Sequence, residues 1–169
     1  MAAEQVDGGR ERHGHFVIRP MVDADVPVIM KIEERAYPFP WTAGIFRDCI
    51  RAGHCCYVLE RNADDQFPGG VIKTVAYVVM SIGAGEAHIL NICVRPEDRG
   101  AGYGRALMDK MMALARQLRA DMMFLEVRPS NEDARRLYDK LGFNEIGTRT
   151  NYYPAAQGRE DALILAKQL

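Results

Sequence analysis

The chain has 169 residues, 48% of them hydrophobic and 27% charged, with a formal net charge of −1 at pH 7. That length suits one domain with a sizeable core, and the near balance of charge gives no basic footprint for nucleic acid. No apolar run approaches the roughly 18 residues of a membrane span, and the first residues are polar rather than signal-like.

Cys49, Cys55, Cys56 and Cys93 show no C-x-x-C spacing, which reads as reduced, mostly core thiols of a cytoplasmic protein. Cys55 and Cys56, adjacent in a strand, should point to opposite faces. His13, His15, His54 and His88 are too scattered for a zinc set, so no metal is expected.

Residues 1–14 are polar and aperiodic and read as a flexible leader; residues 15–169 read as one domain. His15–Pro20 is a first strand. Asp25 is placed to cap a helix with Pro27 in its first turn, burying Ile29, Ile32, Ala36 and Tyr37. Pro38-Phe-Pro-Trp41 must end that helix, because prolines remove donors and fix φ. Its aromatics form either a hydrophobic plug or a binding wall. Thr42 caps a second helix running to about Ala52. Strands His54–Glu60 and Val71–Ser81 flank a turn-rich stretch at 62–70, and Gly83-Ala-Gly85 turns into the strand His88–Val94, an antiparallel meander.

The next stretch, Val94-Arg-Pro-Glu-Asp-Arg-Gly-Ala-Gly-Tyr-Gly-Arg105, joins that strand to a periodic helix with Leu107, Met111, Leu114, Ala115 and Leu118 on one face. A strand feeding a glycine-rich turn at a helix start makes an anion site, because first-turn N–H groups lack internal partners and the helix dipole adds positive charge. Gly100, Gly102 and Gly104 permit positive φ and close approach; Arg99 and Arg105 bracket the turn with charge suited to diphosphate. The bland alternative is a tight turn with two surface arginines. A P-loop would need Lys then Ser or Thr where Arg105-Ala106 stands. A dinucleotide fingerprint needs G-x-G-x-x-G and an acid about twenty residues on, where Phe124-Leu125 lie just ahead of Glu126. The spacing points to a phosphate-bearing ligand of another kind.

Met122–Arg128 is a strand, parallel to the one ending at Val94 by the crossover rule, and the two should diverge where Pro129 leaves the sheet. Glu126 sits in it between Leu125 and Val127, where a carboxylate is costly unless paired or functional. It is either paired with Arg128 or another arginine, or a general base with its pKa raised by desolvation. Asn131 caps a helix whose apolar face carries Ala134, Leu137, Tyr138 and Leu141 and which Gly142 ends. Tyr138 is a core aromatic or an acid. Capping alone suffices to explain Asn131. Cys93 is a buried hydrophobe or, with no activating group in view, a nucleophile. Phe143 to about Tyr153 and Ala162–Ala166 close the chain as a hairpin. The fold class is α+β, around a mixed, mostly antiparallel sheet.

Arg99-Gly-Ala-Gly-Tyr-Gly104 resembles the Q/R-x-x-G-x-G/A motif of the GCN5-related N-acetyltransferases, and the element order matches that family over nearly the whole chain after the leader. Glu34-Arg-Ala-Tyr-Pro-Phe-Pro-Trp41, Leu125-Glu-Val-Arg-Pro-Ser-Asn131 and Asn151–Ala162 are similar to the family's RimI type. The resemblance implies a single domain at 15–169 with about seven strands and four helices, splayed between the fourth and fifth strands. It implies acetyl-CoA as co-substrate, and the N-terminal alanine of small-subunit ribosomal protein eighteen as acceptor. The backbone of Ile92, Cys93 and Val94 would hold the pantetheine arm and acetyl carbonyl. Arg99, Gly100, Ala101, Gly102, Tyr103, Gly104 and Arg105 would take the diphosphate, and Asn131 the pantetheine end. Glu126 would be the base and Tyr138 the acid for the departing thiolate. Phe39, Trp41, Tyr152 and Tyr153 would wall the acceptor peptide. Glu33, Glu34 and Asp161 are candidates for meeting basic residues of the acceptor. A monomer is expected, without direct contact to nucleic acid or membrane. The rivals are a small-molecule, polyamine or lysine acetyltransferase, and a CoA-sensing or ribosome-binding module without turnover.

Overall fold

The computed structural model describes residues 16–62 and 71–169; the expected leader and nearly all of the turn-rich stretch at 62–70 lie outside them. Strands β1 (Phe16–Pro20), β2 (Cys55–Asn62), β3 (Ile72–Gly83), β4 (Glu86–Val94), β5 (Met122–Val127), β6 (Asn144–Pro154) and β7 (Arg159–Gln168) form one sheet in the order β1-β2-β3-β4-β5-β7-β6. Helices α1 (Val26–Ala36), α2 (Ala43–Arg51), α3 (Tyr103–Gln117) and α4 (Glu132–Lys140), with short 3-10 turns at Asp23–Asp25 and Pro96–Asp98, complete the described elements. The expected α+β class and strand count hold.

The chain divides into two compact units, residues 1–78 with 92–107 and residues 79–91 with 108–169. In the first, β1 pairs antiparallel with β2 from Phe16↔Arg61 to Pro20↔Tyr57. Helix α1 buries Val26, Ile29, Ile32 and Glu33, while Ala36 and Tyr37 stay half-buried. Thr42 caps α2 as expected, its hydroxyl accepting from the Ile45 N–H. Asp25 does not cap α1 with its side chain. Its carboxylate instead takes two guanidinium N–H groups of Arg19, at 2.8 and 2.7 Å, and the Val22 N–H at 2.8 Å. The bidentate pair outcompetes the cap because charge-assisted forked bonds are the stronger interaction. Arg19 holds the Asp25 carboxyl below its usual value.

In the second unit, β4 and β5 run parallel through Glu86↔Met122 to Ile89↔Leu125, and both strands continue past that register, to Val94 and Val127. The parallel pairing of the fourth and fifth strands, between which a splay is expected, ends at Ile89↔Leu125. Alternation along β5 buries Met123, Leu125 and Val127 and leaves Met122, Phe124 and Glu126 half-buried on the other face. β7, not β6, lies beside β5, pairing from Met122↔Gln168 to Val127↔Leu163. Along α3 the buried residues are Tyr103, Leu107, Met108, Met111, Met112 and Ala115. Leu118, expected on that stripe, is exposed, since the helix ends at Gln117.

Candidate functional site

In the first unit, the strand-to-helix turn is built as its glycines suggest. Gly100 and Gly102 have φ of 79° and 82°, left-handed values that any side chain would strain. A Cβ on Gly100 would meet nothing within 4 Å, so its glycine serves the backbone bend rather than a contact inside the protein. Helix α3 begins at Tyr103, with the Ala106 N–H returning to Gly102 O at 3.0 Å. Gly104 falls in that first turn, Ala101 is half-buried, and Arg99 and Arg105 are exposed. Tyr103 turns its ring inward, edge-on to Phe16 at 5.8 Å, so only its backbone is presented.

Ahead of the turn, Tyr37 donates to Ile92 O at 3.0 Å, and Arg99 Nε to Val94 O at 3.3 Å. Each carbonyl retains a second lone pair. Between them Cys93 is buried, and burial, with the Glu33 charge, pushes its thiol up to about 12. A thiol so held is protonated, which removes the nucleophile reading of Cys93.

Glu33 is the residue that sequence reasoning placed wrongly. It is 1% exposed, and its carboxylate accepts from the Trp41 N–H at 2.8 Å and from the Tyr77 hydroxyl. It cannot meet an acceptor's basic residues; it anchors the Pro-bounded loop to α1 and β3. Trp41 is half-buried with its ring 5.4 Å from Phe46, whereas Phe39 is 49% exposed. The loop is thus part plug and part open wall. The signal was present in the spacing, because Ile29, Ile32 and Glu33 share the i, i+3, i+4 stripe that faces inward.

In the second unit, Glu126 is 25% exposed at the side chain and ion-paired with Arg149 Nε. The arginine partner is therefore real, but it is not Arg128, which pairs with Glu160 at 3.2 Å and lies 4.3 Å over the Tyr153 ring. The Tyr152 hydroxyl faces the Glu126 carboxylate, which raises the tyrosine's pKa. Burial first, then the Glu126 charge, pushes Tyr153 up to about 12. The two tyrosine rings meet edge-on at 5.0 Å.

A bulge places these tyrosines. The register of β6 on β7 jumps from Arg149↔Ala162 to Tyr153↔Glu160, with Asn151 at φ 52°. Asp161 Oδ1 accepts the Asn151 N–H at 2.8 Å, and Arg159 donates to the carbonyls of Asn151 and Tyr152, both at 2.7 Å. Asparagine suits the left-handed position, and a bulge of this kind re-aims a side chain beside a site. Asp161, expected as a substrate contact, spends one oxygen on that bulge.

Tyr138 is 5% exposed, its ring edge-on to Phe143 at 5.8 Å. Burial, and secondarily Tyr153, drives its pKa well above the usual tyrosine value. No side-chain N or O atom of the described residues is both sealed from solvent and unpartnered. Asn131 caps α4, its Oδ1 accepting from the Ala134 N–H at 3.2 Å. Sequence reasoning did not single out Arg149, Tyr77 or Arg159, all of which act through partners distant in the chain.

The model of the acetyltransferase (GNAT) family matches residues 26–143. The chain is 35% identical to the [ribosomal protein bS18]-alanine N-acetyltransferase of Escherichia coli over 149 residues, 88% of this chain and 95% of that one. It is 37% identical to the Salmonella typhimurium protein of the same name over 142 residues, 84% of this chain and 90% of the other. Among solved structures, the ribosomal-protein-S18-alanine N-acetyltransferase from Escherichia coli superposes with a TM-score of 0.80 at 34% identity, covering 91% of this chain and 94% of that chain. A family match across most of the chain, with relatives this similar over nearly their whole length, makes this chain a member of the acetyltransferase (GNAT) family.

Proposed function

We propose that the protein transfers the acetyl group of acetyl-CoA to the N-terminal amine of a protein, and that its acceptor is the alanine that begins ribosomal protein bS18. The observation that carries the acceptor is the likeness to enzymes named for that reaction, 35% over 95% of the Escherichia coli protein's length. The match runs through both units of the chain, which supports one N-acetyltransferase domain at 15–169 behind a leader. A ribosomal acceptor places the reaction in the cytoplasm, which the four free cysteines suit.

The turn fits a diphosphate. Two left-handed glycines, an open side at Gly100, the first N–H groups of a 15-residue helix and two exposed arginines are what such a group requires. Gly100 through Arg105 would hold it, with Arg99 beside them. The backbone of Ile92, Cys93 and Val94 would run along the pantetheine arm, and the Asn131 carboxamide, its oxygen spent on the cap, would offer its NH2 end. Acetyl-CoA supplies the acetyl group as a reactive thioester.

The protein's own work is proton handling and positioning. Glu126 accepts a proton from the amine, directly or through water, at a carboxylate still reached by solvent. Tyr138 keeps its proton, because burial disfavours the phenolate, and so serves as the acid. Near pH 7.5 an α-amine of pKa about 7.8 is roughly one-third neutral, whereas a lysine at about 10.4 is roughly 0.1% neutral. A half-exposed carboxylate suffices for the first nucleophile. Phe39, Trp41, Tyr152 and Tyr153 provide apolar walls for the first residues of the acceptor.

The test is intact mass of the small-subunit ribosomal proteins, prepared without acetylation, after incubation with acetyl-CoA and this protein. One acetyl group on a single protein, mapped to its N-terminal alanine, is expected. A preference for a free polyamine or for lysines in the same assay would overturn the reading.

A further inference from the structure

The pairing of Glu126 with Arg149 has a consequence for which amines can enter. A lone carboxylate beside the reacting position attracts ammonium ions, the protonated and unreactive form of the acceptor. Here the carboxylate carries the Arg149 guanidinium on Oε1, with Tyr152 beside it. Tyr153, which burial keeps neutral, is also near it, and Ile164 is its register partner on β7. Arg128, just past the end of β5, is spent on Glu160. The Glu126–Arg149 pair is therefore close to neutral as a whole. Arg149 is also held in place, with its guanidinium 5.6 Å from the Tyr152 ring centroid and its backbone at the edge of the bulge. Its side chain is 56% exposed, so it is not a core strut.

We propose that Arg149 is a positioning residue that sets the charge of the site: by pairing with Glu126 it removes the attraction for ammonium groups, so that the protonated, unreactive form of the acceptor does not occupy the site and the neutral amine is admitted. The proposal rests on the reading of Glu126 as the base. At pH 7.5 admission of neutral amine alone favours an α-amine over a lysine by roughly 300-fold, the ratio of their neutral fractions. An unpaired Glu126 would hold the charged form instead, non-productively, lowering kcat and KM for the acceptor together below the amine pKa.

The experiment is the pH dependence of KM for an alanine-started peptide, at saturating acetyl-CoA, in the parent and in Arg149→Met, Arg149→Lys and Glu126→Gln. In the parent, KM should fall about tenfold between one unit below and one unit above the amine pKa, following the neutral fraction from about 9% to about 91%. In Arg149→Met it should be flat over that range, and an otherwise identical peptide with a permanently charged trimethylated N-terminus should inhibit at about tenfold lower concentration. Arg149→Lys, which keeps the charge, should restore the parent's slope. If Arg149→Met keeps the parental slope while Glu126→Gln loses turnover, the charge-setting role is wrong and the base stands. If Arg149→Lys behaves as Arg149→Met, geometry and not charge is at work, and the proposal fails. If Glu126→Gln turns over at the parental rate, the base reading fails and the proposal with it.

Discussion

Tyr77→Phe isolates the interaction on which the substrate-side loop depends. It deletes one oxygen, the hydroxyl that donates to Glu33, and leaves the ring packed edge-on against Phe46 at 5.4 Å. Both residues are sealed from water, Glu33 at 1% and Tyr77 at 0% exposure, so no solvent molecule can simply take the hydroxyl's place. A hydrogen bond to a charged group is worth about 1.5–3 kcal/mol. For a chain of 169 residues, each kcal/mol shifts Tm by roughly 2–4 °C, so the variant should melt about 3–12 °C lower. Calorimetry, with urea midpoints as a second measure, reads this directly. The functional arm follows from the other end of the carboxylate. Glu33 also holds the Trp41 N–H, so a loosened Glu33 should raise KM for the acceptor peptide while leaving KM for acetyl-CoA alone. A Tm within about one degree of the parent would show that the contact contributes little. A normal peptide KM would separate Glu33 from the loop.

Glu126→Gln and Tyr138→Phe should each lower kcat by about 100-fold or more at saturating acetyl-CoA, the usual worth of general acid–base catalysis; unchanged turnover in both contradicts their roles. The sign of the Tyr138 shift adds a pH test: an acid must be protonated, its pKa is raised by burial, and so kcat should show no alkaline loss near pH 10, where an ordinary tyrosine ionises. Valine at both Gly102 and Gly104 should weaken acetyl-CoA binding by calorimetry, since Gly102 sits at φ 82°; unaltered affinity would contradict the diphosphate turn. Asn131→Ala removes a cap and should cost about 0.5–2 kcal/mol of stability. Only if the carboxamide also meets the pantetheine arm should KM for acetyl-CoA rise as well.

What the sequence disclosed was what neighbours in the chain decide. Thr42 and Asn131 cap their helices, and Gly142 ends α4 at φ 81°. These are contests settled within a turn of helix. Asp25 shows the limit: six residues back, Arg19 offers two charged donors, and the carboxylate leaves the helix it was expected to cap. The insertion of β7 between β5 and β6 was equally invisible, since a terminal hairpin can offer either strand to the sheet. Within the candidate site the glycine turn was legible because backbone conformation names its own residue type. The bulge at Asn151 was not, because it depends on Asp161 and Arg159 arriving from the facing strand.

Two glutamates in this chain are each set in a mostly apolar segment, and their surroundings assign them opposite work. Glu33 lies on the inward stripe of α1 with both carboxylate oxygens bonded, one to a backbone N–H and one to a buried phenol. No amine can reach it, so any proton it took would have to cross packed side chains. Glu126 stands on the less buried face of β5, a quarter exposed, next to the point where the parallel register with β4 stops. Its partners are an exposed arginine and an exposed tyrosine rather than sealed core groups. A base must exchange its proton with solvent after every turnover, and only the second glutamate can. Access to water, more than depth of burial, therefore decides which of them is the candidate base, and the role proposed for Arg149 follows from the same access: a carboxylate open to solvent is open to cations as well.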